Sequence, residues 1–237
     1  MTDPAPETPA GAPAPERVTY GSYLAVDELL GLQRTRSGAG GAEHPDELLF
    51  IIVHQASELW FKVILHELAG LEAAMRGGDA GLAHWRATRV NSLTRIVSEQ
   101  LSSLDTLPPQ RFLQFRGYLG SSSGSQSAQF RQIEQRSAEL EAAFLALLEA
   151  SGATVEALYT GPGPGTLFFI AEALLAYDQQ FARWRFQHVQ LVERIIGPAT
   201  GGTGGSLGAQ HLMRTVSQRF FPALWEARTR LYRGGAG

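Results

Sequence analysis

From Tyr20 onward, apolar residues recur every three or four positions, the spacing of one face of an α-helix. No segment keeps up the two-residue alternation of β-branched side chains that marks a strand. The segment 26–33 (VDELLGLQ) is a short amphipathic helix, closed by the loop SGAGGAEHP, where Gly and Pro forbid continuation. Pro45, Asp46 and Glu47 then open a long helix, with acids in the first turn where the macrodipole favours them. Its body, LLFIIVHQASELWFKVILHELAGLEAAM, is apolar on nearly every face through its first half, which predicts a helix lying in a core.

Leu82, Trp85, Val90, Leu93, Val97, Leu101 and Leu104 form the apolar stripe of the next helix, and Pro108-Pro109 reads as its stop. After the loop GSSSGSQS another helix covers 126–149, and GPGPG at 161–165 separates it from a Gly- and Pro-free run over 167–196. At 1.5 Å per residue that run is roughly 45 Å long. A second glycine-rich loop, GPATGGTGGSLG at 197–208, leads to a last helix over 209–232, which Pro222 should kink or restart. Long helices with short loops predict an all-α bundle. The expected organisation is a Pro-rich tail over 1–16 followed by one domain over 17–237.

The 237 residues carry 20 Lys+Arg against 23 Asp+Glu, a formal charge of −3 that gives no surplus for binding nucleic acid. With no Cys, disulfides, thiolate metal sites, a cysteine nucleophile and thiolate-bound haem are all excluded. The tail MTDPAPETPAGAPAPE has neither the basic nor the apolar region of a signal peptide, and no run of about 18 uncharged apolar residues occurs. The expectation is a cytoplasmic protein without membrane or nucleic-acid partners.

Six histidines are the scarce chemical resource. His44 and His84 lie in polar or helix-entry sequence and read as surface residues. His54 interrupts LLFIIV with Phe50 one turn before it and Glu58 one turn after; His188 has Trp184 one turn before and Val192 one turn after. Each imidazole faces apolar surroundings and needs a partner. That partner could be a backbone carbonyl or carboxylate in an ordinary core. It could also be a metal: zinc patterns such as HExxH are absent, and a lone His on a long helix with aromatic neighbours suits the proximal ligand of a haem. Neither glycine-rich loop follows a strand or ends in GK[ST], so nucleotide binding is disfavoured. Arg116, Ser123 and Thr203 lie in or beside these loops and could bind a carboxylate and an ammonium.

Four stretches together resemble the tryptophan 2,3-dioxygenase superfamily of haem enzymes, in its order: TYGSYLAVDELL (19–30), HPDELLFIIVHQASELWFKVILHEL (44–68), FRGYLGSSSGSQSAQFRQIE (115–134) and HVQLVERIIGPATGGTGGSLG (188–208). The resemblance implies haem b as cofactor and O₂ as co-substrate. His188 would be the proximal iron ligand, with Trp184 beside it at the cofactor, and His54 the distal residue that meets the substrate indole N–H. Phe50 would be a wall of the indole pocket and Arg116 the carboxylate clamp. Ser123 would lie in the loop over the haem edge, and Thr203 would receive the ammonium. Tyr20, Tyr23 and Leu24 would reach into a neighbouring subunit of a homotetramer.

Departures from the family pattern bear on the outcome of the reaction. Phe112 stands where a tyrosine is usual, removing a hydroxyl from carboxylate recognition, and SGSQS replaces SGFQS, so Ser125 stands for an aromatic. The segment between Glu134 and Leu167 is shorter than usual. The chain in this respect resembles shortened members of secondary metabolism that insert one oxygen and leave a 2-oxindole or a hydroxylated aromatic. The expectation therefore leans to mono-oxygenation of tryptophan or a substituted tryptophan, such as a β-methyl derivative, to a 2-oxindole. The alternatives are the ordinary ring-opening dioxygenase giving N-formylkynurenine and a non-catalytic haem-binding sensor.

Overall fold

The computed structural model describes residues 17–161, 163–201 and 208–234, all of it helix, turn and loop, with no strand among them. The chain falls into two units, up to Arg34 and from Thr35 onward. The first contributes α1 (Tyr20–Leu24) and α2 (Val26–Leu30), joined at Ala25, whose φ of 50° is left-handed. Thr19 caps α1 in a reciprocal capping box with Ser22. Neither helix buries a residue, and Tyr20 and Tyr23 stand 79% and 78% exposed.

The second unit is the bundle: α3 (Glu47–Arg76), α4 (Ala80–Leu101), α5 (Pro109–Arg116), α6 (Ala128–Ala150), α7 (Val155–Thr160), α8 (Thr166–Ile196), α9 (Gly208–Val216) and α10 (Pro222–Gly234). Helix α3 packs between α4 and α6, and α8 packs on α4 and α9. Asp79, Ser127 and Thr154 cap α4, α6 and α7 by accepting the N–H of Leu82, Phe130 and Ala157. Pro109 proves to be the first residue of a helix, where its missing N–H costs nothing. Pro222 likewise restarts the chain as α10.

One apolar core joins α3, α4, α6, α8 and α10 around Ile64, Leu68, Phe144, Leu174 and Phe221. Its buried carboxylates are paired. Glu67 takes guanidinium N–H bonds from Arg86 (3.0 Å) and Arg89 (3.2 Å). Asp178 accepts from the Phe220 amide (3.2 Å) and Trp225 Nε1 (2.7 Å), and Arg185 donates to Glu134 (2.7 Å) between the rings of Phe181 and Phe220. A smaller cluster of Val53, Leu104, Leu107, Phe112, Phe115, Leu191 and Ile195 joins the start of α3, the end of α8 and α5.

Although α3 is long and apolar enough to cross a membrane by length and composition alone, its buried Glu67 is ion-paired to two arginines of α4, as in a bundle helix. One expectation about α3 needs correction. Its first half is not core on every face: Leu48, Ile52, Leu59 and Val63 are 39–52% exposed along one side.

Candidate functional site

The smaller cluster is where most of the expected site residues converge. Phe50 and His54 come from the first and second turns of α3, Trp184 and His188 from α8, and Phe112 and Arg116 from α5. The Phe50 ring lies 4.2 Å from the His54 ring, 5.8 Å from Phe112 and 5.7 Å from Phe115. Phe112 and Phe115 are buried, so Phe112 is a wall of this region rather than an opening in it.

His54 Nδ1 donates to the Phe50 carbonyl at 2.7 Å, one helical turn back. That bond fixes the tautomer of the neutral ring and leaves Nε2 as an acceptor. Crowding by protein removes solvation and holds the His54 pKa below its ordinary value, although the bond to Phe50 and the nearby Glu58 pull the other way. The ring is nonetheless not sealed in the core, as its place in an apolar run suggested; solvent reaches it.

His188 is half-buried, and no hydrogen bond reaches either ring nitrogen among the described residues. Burial pushes its pKa down to about 4, and proximity to His54 adds to the shift. The two imidazoles, on different helices, are not hydrogen-bonded to each other. Trp184 stacks against His188 with centroids 5.5 Å apart and is backed by Phe130, Phe181 and Phe61. Its Nε1–H is buried without an acceptor among the described residues.

Arg116 donates through Nη2 to the Gly201 carbonyl at 3.1 Å, bringing the second glycine-rich loop to the end of α5. Thr203, two residues further on, lies outside the described residues, as does the 1–16 tail. Ser123 caps a single 3₁₀ turn over Gly124–Gln126, and its hydroxyl lies 3.0 Å from that of Ser125. Tyr20, Tyr23 and Leu24 are exposed within the first unit. Of the remaining histidines, His66 is exposed, but His44 and His84 are not the plain surface residues their sequence suggested. His84 lies against Phe169 at 5.9 Å, and His44 packs on Phe115 at 5.1 Å while bonding Gln114.

Phe115 and the polar residues before α3 are the parts of this region that sequence reasoning missed. The i, i+3 pair Phe112–Phe115 is the available signal, and Pro108-Pro109 masks it because a dipeptide that reads as the end of one helix here begins the next.

The donor set fits haem. No group of three or more His, Asp or Glu among the described residues could hold a bare metal ion. A porphyrin brings four nitrogens of its own and would need one further ligand from the protein, a neutral imidazole with a free nitrogen, which His188 would supply. The orphaned indole N–H of Trp184 beside it is a further polar atom that protein alone leaves incomplete.

Comparison with known proteins agrees. A family profile described as Tryptophan 2,3-dioxygenase matches residues 9–143 and 144–231. Proteins named tryptophan 2,3-dioxygenase are similar along nearly their whole length. That of Nocardioides sp. is 37% identical over 258 residues, covering 91% of this chain and 95% of the relative. That of Herpetosiphon aurantiacus is 37% identical over 263 residues (91% and 99%), and that of Anaeromyxobacter sp. 34% over 275 residues (96% and 99%). These alignments are longer than the 237-residue chain, so the relatives carry residues it lacks. The profile match spans most of the chain and the identities exceed 30% over nine-tenths of it: the chain belongs to the tryptophan 2,3-dioxygenase family.

Proposed function

We propose that this chain is a haem-dependent oxygenase that uses O₂ to oxidise the indole ring of tryptophan or a substituted tryptophan. The observation that carries the reading is His188 on α8, stacked on Trp184, together with His54 on α3, whose Nδ1 is bonded to Phe50 and whose Nε2 is left open. Among the described residues neither ring nitrogen of His188 is bonded, and the buried indole N–H of Trp184 has no acceptor. Burial lowers the pKa of both rings, which favours the uncharged forms that an iron ligand and a hydrogen-bond acceptor require.

When bound, haem supplies the iron at which O₂ is activated toward the electron-rich indole. His188 would hold it, with Trp184 stacked behind. The chain's other residues bind and orient the substrate. His54 Nε2, left as an acceptor by the bond to Phe50, takes the indole N–H; Phe50 and Phe112 pack the ring; Arg116 exchanges the Gly201 carbonyl for the stronger, charge-assisted carboxylate. Thr203 receives the ammonium, and Ser123 sits in the loop over the cofactor edge. Holding the ring in one geometry is the protein's main contribution to rate. A sensor would have no use for the Arg116 clamp.

The finer reading is mono-oxygenation to a 2-oxindole. Support comes from Phe112, which lacks the family's hydroxyl, and Ser125, which bonds Ser123 where an aromatic would fill space. The balance differs between outcomes. Ring opening places both oxygen atoms in the product and needs no reductant, whereas single insertion sends the second atom to water and consumes two electrons and two protons. Ferrous holoenzyme turned over under ¹⁸O₂ with tryptophan and β-methyltryptophan, with and without ascorbate, separates them by product mass. One labelled atom and dependence on ascorbate are expected. Two labelled atoms without reductant return the chain to ring opening, and no label at all overturns the oxygenase reading.

The reading includes one haem-binding domain over 17–237 and a homotetramer. The exposed Tyr20, Tyr23 and Leu24 and the uncovered Leu48, Ile52, Leu59 and Val63 supply apolar surface for subunit contact. Light scattering that gives the 25.7 kDa monomer in a fully active preparation would contradict it.

A further inference from the structure

The segment entering α3 contains a polar chain that the activity above leaves unused. Glu47, 2% exposed, accepts from the amides of Arg36 (2.8 Å) and Ser37 (2.9 Å) and from the Ser37 hydroxyl. Ser37 Oγ in turn accepts from the His44 amide at 2.8 Å. The Asp46 amide donates to His44 Nδ1 at 3.2 Å, so Nδ1 is the unprotonated nitrogen and Nε2 carries the hydrogen. That hydrogen goes to Gln114 Oε1 at 2.8 Å. Asp46 closes a second link to the same helix by pairing with Arg111.

Helix α5 is only eight residues long, too short to hold its own place by intrahelical bonds. Its apolar side, Phe112 and Phe115, is buried beside Phe50. Two of its polar side chains, Arg111 and Gln114, are tied to the Asp46 and His44 that precede α3. Arg116 is the last residue of α5, two positions after Gln114, and its side chain leaves the helix toward Gly201. The same segment leads directly into the turns that carry Phe50 and His54.

We propose that His44 and Gln114 are positioning residues for substrate recognition: their hydrogen bond fixes the end of α5, and so the Arg116 guanidinium, relative to the helix that presents His54. The bond sets the distance between the group that takes the carboxylate and the group that takes the indole nitrogen. It therefore selects for an amino acid whose two ends match that span. The inference rests on the reading of Arg116 as the carboxylate clamp.

The test uses the haem-loaded enzyme and compares binding of tryptophan with that of tryptamine, which lacks the carboxylate, by the shift of the Soret band. Gln114 is exposed, so Gln114→Ala should fold, with haem content and melting temperature near wild type as the control. Loss of one positioning hydrogen bond is expected to weaken tryptophan about fivefold and leave tryptamine unchanged. His44→Ala should do the same. The double variant should be no worse than either single one, because the two residues make one interaction. Gln114→Glu keeps the acceptor and should restore tryptophan binding. A merely structural role would lower both ligands together, and that result, or unchanged tryptophan binding, overturns the proposal. Arg116→Ala separates the two claims: if it too leaves the tryptophan-to-tryptamine ratio unchanged, the clamp itself is wrong and the positioning role falls with it. If it abolishes the ratio while the Gln114 and His44 variants do not, only the positioning role fails.

Discussion

Asp178 is fully buried in α8 with both carboxylate oxygens bonded, while His188, about three turns further along the same helix, is half-buried with neither ring nitrogen bonded to a described residue. The contrast extends to their neighbours. Around Asp178, Ser137 bonds Tyr177 and Arg185 bonds Glu134; Arg86 and Arg185 leave a buried Nε unpaired, but their other nitrogens are used. Around His188, the single N–H of Trp184 has no acceptor among the described residues and His54 keeps an open Nε2. One end of the bundle satisfies its buried carboxylates and hydroxyls, although Arg86, Arg185 and Arg228 each keep one unpaired Nε–H. The other gathers an unbonded imidazole, an open imidazole nitrogen and an orphaned indole N–H in one place, and that gathering points to the site.

The largest effect should come from breaking the Asp178 end. Asp178→Ala strands the Phe220 amide and the Trp225 indole N–H and is expected to cost about 2–4 kcal/mol, read as a lowered melting temperature of the apoprotein. Haem stoichiometry of the surviving folded protein should stay normal; a parallel loss of haem would mean that the two ends are not separate.

Gly70→Ala is next, and its sign is the informative part. In an ordinary helix this change stabilises by about 1 kcal/mol. Here an added Cβ would lie 2.3 Å from Arg86 Nη1, which sits over the Gly70 backbone to reach buried Glu67. A loss of about 1–3 kcal/mol is expected instead, as in overpacked cores. A stabilised variant would show that the arginine does not need that approach.

A further effect concerns pH at the incomplete end. The folded pKa of His188, about 4, lies below the ordinary 6.5, so between these values the unfolded chain binds the proton and the folded chain does not. The contribution is therefore present above pH 6.5 and is lost as pH falls toward 4. Haem uptake, which needs the neutral ring, should stay level from pH 8 to about 5. A fall centred on pH 6.5 would mean that the ring is not desolvated. Replacing His188 with Gln should remove this part of the pH dependence of apoprotein melting.

The helices were legible because helical periodicity is a local property. The long segments of α3, α4, α6 and α8 emerge within a few residues of their expected limits. Helices α5 and α7, eight and six residues long, were not legible: they owe their stability to Phe112, Phe115 and Val155 entering cores built by distant segments. In the site, His54 and His188 stood out as imidazoles in apolar surroundings, and the roles of Arg116 and Thr203 came from family resemblance. The link from His44 to Gln114 joins residues 70 positions apart, and no spacing rule signals such a pair. His54's openness was equally hidden, because an apolar run does not say which face a cofactor will cover.

Haem content of purified His188→Ala protein, measured beside wild type and His66→Ala, tests the central assignment most directly. Wild type and His66→Ala should take up stoichiometric haem and show a Soret band that moves on adding tryptophan, since His66 is exposed and away from the cluster. His188→Ala should lose haem or hold it loosely. Normal haem content with an unchanged Soret band in the His188 variant would contradict the assignment.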